Sequence, residues 1–310
     1  MKKILSIDGG GIRGIIPATF LSYIEDKTQK PIANCFDLIA GTSTGGIIAL
    51  GITKNQGNGL PEFSAKDLLN IYLTKGHQIY SQKLSLEIKS IHGFFDELYS
   101  HENLELILQS YLGDAVLGDA LTKVFVTSYD IQNRTSFFMK SWKPSDQQIY
   151  IRDAARATSA APTYFEPALV QIGQSYNALV DGGIFLNSPA MSAYVEALKL
   201  FPDEKEFFLL SLGTGKAIQS FNFEEAKHWG KVQWISPLFS CMFDGMEQVA
   251  DYQLKQILGN QYQRLQVGIY DDHQDNIKLE NLNLLQEKAI ELIDSQALLL
   301  EYICSKLASF

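Results

Sequence analysis

The chain has 310 residues, with 26 Lys+Arg against 35 Asp+Glu and a formal net charge of −9. Its 46% apolar and 20% charged residues describe a globular protein able to bury a large core, which excludes a disordered, fibrous or disulfide-rich chain. The acidic balance argues against nucleic acid as a partner, because phosphate binding needs clustered Lys and Arg, and against long-range attraction to anionic membranes.

Ile4 to Ile7 is a short apolar run ended by Asp8-Gly9-Gly10-Gly11, a buried strand running into a glycine loop. The start resembles a signal peptide for a few residues only, before Asp8 and the glycines interrupt it. No apolar run reaches the roughly 18 residues of a spanning helix. Cys35, Cys241 and Cys304 form neither a metal pair nor a disulfide framework. A cytoplasmic location with reduced thiols is the expectation.

Pro17 stands near a helix start, followed by Phe20, Leu21 and Ile24 at helical spacing. Phe36 to Ala40 is a second apolar run, which enters Gly41-Thr42-Ser43-Thr44-Gly45-Gly46, and Ile47 to Ile52 reads as a buried helix. Strand–turn–helix thus occurs twice in 52 residues, the opening of a mostly parallel sheet covered by helices. Ala65 to about Leu112 is helical in pattern, with a polar interruption near Gln82 to Gly93. Val124–Tyr129 and Ser136–Lys140 read as neighbouring strands, Ile151–Thr158 as a helix, and Ala178–Asp181 and Phe207–Leu212 as strand ends. Ser236-Pro237 reads as the N-cap and first residue of a helix to about Leu258, and Asn283–Leu307 as one final amphipathic helix. With no repeat and no dividing linker, one domain over 1–310 is expected, its motifs within about 4–215 and a helical part beyond 216.

Gly41-Thr42-Ser43-Thr44-Gly45 fits G-x-S-x-G between a strand and a helix. A serine on that sharp turn is lifted clear of the sheet at the positive end of the next helix, where an oxyanion meets free N–H groups. Gly9-Gly10-Gly11-Ile12-Arg13-Gly14 also satisfies the dinucleotide fingerprint G-x-G-x-x-G. That fingerprint needs an acid at the end of the second strand, where this chain has Ser43 instead. The other reading of the loop is an oxyanion hole, with side-chain-free amides beside Ser43. Arg13 suits a loop clamp, a phosphate contact or a plain surface arginine.

None of the five histidines has the strand-end context of a catalytic base: His228 and His273 lie in polar segments, and His77, His92 and His101 precede the later strands. Asp181, in Val180-Asp181-Gly182-Gly183, ends an apolar strand at the sheet edge expected for Ser43.

Together these residues resemble the patatin-like phospholipase family. The resemblance lies in the Asp8–Gly14 loop, the Gly41–Gly46 elbow and Asp181-Gly182-Gly183. Ala157 to Phe165 and Ser211-Leu212-Gly213-Thr214-Gly215 support it, and Trp234 to Leu258 resembles a helix found in such relatives. It implies a three-layer α/β/α fold and a lipid acyl hydrolase with a Ser43–Asp181 dyad. Gly10, Gly11 and the N–H of Thr44 would form the oxyanion hole, supported by Gly9, Arg13, Gly14, Gly41, Gly45 and Gly182. Acyltransfer by the same dyad and a nucleotide- or phosphate-binding module built on the Gly9–Gly14 loop remain open alternatives. No cofactor or metal is expected, since no D-x-D-x-D-G calcium loop is present.

Trp229, Trp234, Ile235, Leu238, Phe239, Met242 and Phe243 read either as an apolar lip for lipid or as helix core. Core is the expectation, because Leu238, Met242, Met246 and Val249 fit one stripe. Gly93-Phe94-Phe95 reads as part of a lid. Leu298-Leu299-Leu300 and Ile303 read as core, with a homodimer seam as the alternative. A regulatory partner is compatible with every residue named.

Overall fold

The computed structural model describes residues 1–79, 99–270 and 273–308. The polar interruption, His92 and Gly93-Phe94-Phe95 lie outside the described residues.

The strands are β1 (Lys2–Ile7), β2 (Leu38–Thr42), β3 (Lys123–Asp130), β4 (Thr135–Lys140), β5 (Ala168–Ile172), β6 (Ser175–Asp181), β7 (Phe207–Leu212), β8 (Lys216–Ala217), β9 (Tyr262–Leu265) and β10 (Gly268–Ile269). The helices are α1 (Ile15–Thr28), α2 (Ile32–Cys35), α3 (Thr44–Thr53), α4 (Ala65–Ile79), α5 (His101–Leu112), α6 (Ile151–Thr158), α7 (Gly183–Leu186), α8 (Ala190–Leu200), α9 (Phe223–Ala226), α10 (Lys231–Leu258), α11 (Leu279–Ser295) and α12 (Ala297–Ala308). An eight-stranded sheet runs β5-β6-β3-β2-β1-β7-β9, with β4 on β3, and β8 and β10 form a separate pair. Strands β3, β2, β1, β7 and β9 are parallel, whereas β4 and β6 run antiparallel to β3, and β5 pairs antiparallel with β6 at that edge.

The continuous apolar strands follow from burial on both faces. In β7, Phe207 and Leu209 face one core while Phe208, Leu210 and Leu212 face the other. In β2, Leu38 and Ala40 alternate with Ile39 in the same way. Helices α1, α3, α4, α5, α6, α11 and α12 supply one core, and α8 and α10 supply the other. This is the expected α/β architecture with a central, mostly parallel sheet between helical layers.

Three expectations change. The stretch beyond residue 216 is not purely helical, since β9 pairs with β7 inside the main sheet. The C-terminal tail is two helices, broken at Gln296. Helix α10 starts at Lys231, so Pro237 sits inside it rather than at its first position. Gln233 gives the reason: its Oε1 accepts from the Gly230 N–H at 2.8 Å and starts the helix earlier. Among the described residues no helix is long and apolar enough to cross a membrane.

Candidate active site

The register on β3 brings two distant strand ends together. Strand β2 runs parallel to β3 as far as Thr42 opposite Thr127. Strand β6 runs the other way along β3 and ends with Asp181 opposite Ser128, the next position. Because β4 occupies the far side of β3 over Phe125–Asp130, β2 and β6 share one side and meet end to end. Ser43 and Asp181 therefore face each other across that junction.

Ser43 has φ 54° and ψ −124°, a left-handed conformation that L residues rarely adopt. Such strain costs on the order of 1–3 kcal/mol and persists only where the surroundings enforce it. Here the Ser43 N–H donates to Thr158 Oγ1 at 2.9 Å, and the Thr158 hydroxyl donates to the Thr127 carbonyl at 2.7 Å. Close approach explains the flanking glycines: a Cβ on Gly41 would lie 2.2 Å from the Gly45 carbonyl oxygen, and one on Gly45 2.3 Å from that of Ile7. Thr44 opens α3, so its N–H belongs to the helix's unpaired first turn. Its hydroxyl meets the Tyr72 hydroxyl, which also donates to the Thr44 carbonyl at 3.2 Å.

Asp181 is buried and accepts from the Gly183 N–H at 2.7 Å and from the Ser43 hydroxyl. Burial pushes its carboxyl up to about 7, against the downward pull of those two hydrogen bonds. A carboxylate poised near neutrality is a better proton acceptor for an alcohol than an ordinary aspartate. Among the described residues no histidine bonds to Ser43 or Asp181. His273 lines the cleft but is exposed, His101 sits beside Glu166 at 3.4 Å, and His77 and His228 are exposed.

In the glycine loop, the Asp8 and Gly9 N–H groups are taken by the carbonyls of Leu212 (3.0 Å) and Asn187 (3.1 Å), and that of Ile12 by Gln274 (2.8 Å). Among the described residues the N–H groups of Gly10 and Gly11 have no protein partner. Gly11 needs glycine's freedom, with φ 58°. Gly9, Gly14 and Gly182 stand where a Cβ would strike Asn187, Thr44 or Thr127 within 2.5 Å. Arg13 is not a surface arginine. Only 7% exposed, it donates from Nε to the Gly10 carbonyl (3.3 Å) and from Nη1 to that of Gly215 (3.5 Å).

Two cavities meet at Ser43. One is almost wholly apolar, lined by Gly11, Ile47, Phe63, Leu68, Leu108 and Phe165. The other carries Gly10, Arg13, Asp181, Asn187, Asp244 and Glu247, and is bordered by Ile235, Phe239 and Phe243. The α10 stripe expected in the core is a correction: Leu238 is 51% and Val249 57% exposed, and Met242 is also exposed. The residues of α10 that enter the core are Ala250 and Leu254, on another face.

Under the loop lies a charge network that sequence reasoning missed. Arg264 on β9 donates to Asp8 (2.7 Å), Glu247 (2.9 Å) and the Ser211 hydroxyl (2.7 Å). Glu247 also accepts from Asn187 (2.9 Å) and Gln266 (3.0 Å). Burial, then Asp8, push the Glu247 carboxyl up to about 7. Asn187, Glu247 and Arg264 belong to no local motif. Thr158 and Thr214 lay inside noted blocks, but nothing local assigned them a task.

Residues 5–194 match the family model described as Patatin-like phospholipase. "Patatin-like protein 2" of Arabidopsis thaliana is 31% identical, over 94% of this chain and 83% of its own length. "Probable inactive patatin-3-Kuras 1" of Solanum tuberosum is 33% identical, over 86% and 78%. Among solved structures, VipD from Legionella pneumophila aligns over 95% of this chain and 67% of its own at 13% identity and a TM-score of 0.41. With that model covering well over half of its residues, the chain belongs to the patatin-like phospholipase family.

Proposed function

We propose that this protein is a lipid acyl hydrolase of the phospholipase A or lysophospholipase type, with Ser43 as nucleophile and Asp181 as its base. The observation that carries the reading is the Ser43–Asp181 pair standing where an apolar and a polar cavity meet. An acyl chain suits the first cavity, and the alcohol half of an ester suits the second. Family membership alone does not decide activity, since a relative is named probable inactive. Support comes from the residues in place here.

Ser43 attacks the ester carbonyl while Asp181 accepts its proton. The Gly10, Gly11 and Thr44 N–H groups receive the oxyanion; losing one such donor costs about 2.7–4 kcal/mol in activation free energy. Asp181 returns the proton to the leaving alcohol, which departs and leaves an acyl-Ser43 ester. Water, deprotonated by Asp181, then attacks that ester, and the tetrahedral intermediate collapses to fatty acid and free serine.

Access to substrate is part of the same proposal. Val232, Ile235, Leu238 and Met242 are exposed on α10, beside Trp234 and next to the cleft border. A net charge of −9 opposes anionic surfaces, so this apolar face suits the interface of a zwitterionic bilayer. No observation favours transacylation or phosphate binding over hydrolysis.

The test incubates wild type and Ser43→Ala with phospholipids, lysophospholipids and galactolipids, with and without a competing alcohol, and identifies products by mass. Free fatty acid from wild type alone is expected. Activity retained by Ser43→Ala would overturn the assignment, and an acylated alcohol as main product would make the enzyme a transferase. For the membrane face, Val232→Ser/Leu238→Ser is expected to cut phosphatidylcholine vesicle hydrolysis about tenfold and leave a soluble short-chain ester unaffected, since both side chains are exposed and neither lines the cleft.

A further inference from the structure

The glycine loop works as a donor only if its peptide planes are turned the right way, and glycines by themselves do not hold a plane. The Gly9 carbonyl accepts from the Thr214 hydroxyl at 2.6 Å, and from Asn187 Nδ2 at 3.4 Å. In a trans peptide the carbonyl and the following N–H point in opposite directions. The carbonyl of Gly9 and the N–H of Gly10 belong to one such unit. A hydroxyl that grips the carbonyl on one side therefore turns the Gly10 N–H to the other, toward the cleft that Gly10 shares with Ser43.

Thr214 suits this task. It is 1% exposed, and its side chain covers Gly10 so closely that a Cβ there would lie 2.3 Å from Oγ1 and 2.6 Å from its Cβ. Its own turn is tied at both ends: the Gly213 N–H donates to the Leu265 carbonyl at 2.9 Å, and the Gly215 N–H to Gln266 Oε1 at 2.7 Å. Gln266 in turn donates to Glu247.

We infer that Thr214 is a positioning residue for hydrolysis, which sets the Gly9–Gly10 peptide so that the Gly10 N–H meets the oxyanion. This rests on the acyl-hydrolase reading above. The hydroxyl acts through the loop and does not touch substrate. Its loss lowers the rate of acyl transfer and leaves ground-state binding nearly unchanged.

The experiment compares wild type, Thr214→Val and Thr214→Ser on lysophosphatidylcholine, with rates normalised to sites titrated by a fluorophosphonate. Valine keeps the shape without the donor, and serine keeps the donor. The expected result is a kcat about 10- to 100-fold lower in Thr214→Val with KM within about twofold, and near-wild-type kcat in Thr214→Ser. Affinity for a trifluoromethyl ketone, whose hemiketal oxyanion occupies the same hole, should fall by the same factor as kcat. Equal kcat in Thr214→Val overturns the inference, as does a fall in kcat with ketone affinity intact. Should Thr214→Val not fold, Thr214→Cys, of similar size and a weaker donor, carries the test with an intermediate loss expected. If Ser43→Ala remains as active as wild type, the hydrolase reading itself has failed. If activity depends on Ser43 but ignores Thr214, only this inference has.

Discussion

The same tripeptide, Asp-Gly-Gly, closes two strands of the sheet and ends in two different states. Asp8-Gly9-Gly10 follows β1, and Asp181-Gly182-Gly183 completes β6. Both aspartates are buried, and burial raises both carboxyls. Asp8 has a guanidinium at 2.7 Å to oppose that rise, so it anchors the loop as half of an ion pair. Asp181 is opposed only by a hydroxyl and one amide, so it stays poised near neutrality. Local sequence places a carboxylate at a strand end; its neighbours across the sheet decide whether it is held in an ion pair or left poised near neutrality.

The strongest attempt to break the contrast is Asp181→Asn. Hydrolysis should fall by at least about a thousandfold, because an amide accepts no proton. Stability should move the opposite way. The Asp181 pKa is raised to about 7 from 3.8, so the folded state holds the proton more tightly, and stability falls as pH rises through that window. Removing the carboxyl removes that loss, worth up to about 4 kcal/mol above pH 7. Melting at pH 4 and pH 8 checks it: the variant should gain at pH 8 and gain little at pH 4. A variant less stable than wild type at both would refute the poised-acid account.

Arg264→Met does the reverse on the other side. It leaves Asp8 and Glu247 buried without their cation and should cost about 3–5 kcal/mol in denaturant unfolding. Unchanged stability would mean that Asp8 is not held by that pair.

The second glycines separate the two sites next. A Cβ on Gly10 must displace Thr214, whereas one on Gly183 meets Asp181 Oδ1 at 3.1 Å and leaves the Gly183 N–H in place. Gly10→Ala should lower kcat about a hundredfold and Gly183→Ala about threefold. Equal losses would put the donor loop elsewhere.

The mildest test needs no mutation. If Asp181 is the base, kcat/KM should rise about tenfold per pH unit below 7 and level off above it. An acid limb near 4 would return Asp181 to an ordinary carboxylate.

Much of this was legible in local pattern, because local sterics wrote it. Gly41 and Gly45 have to be glycine, since neighbouring backbone lies where their Cβ atoms would stand. The apolar runs of β1, β2 and β7 announced strands buried on both faces. Other features needed distant partners. The exposed face of α10 has the period of a core stripe, and periodicity cannot tell a face packed on protein from one left open. Edge strand β9, the broken C-terminal tail and the early start of α10 rest on short or weak signals.

By itself, then, the sequence determined the elbow, the glycine loop, the parallel sheet and the identity of the two Asp-Gly-Gly turns, because each depends on backbone geometry within a few residues. Only the tertiary structure decided that Asp8 meets Arg264, that burial leaves the Asp181 carboxyl near neutrality, and that Thr214 grips the glycine loop. Those outcomes depend on strand order and register across some 200 residues of chain, and the charge state of a buried carboxylate follows from whichever neighbour the register delivers.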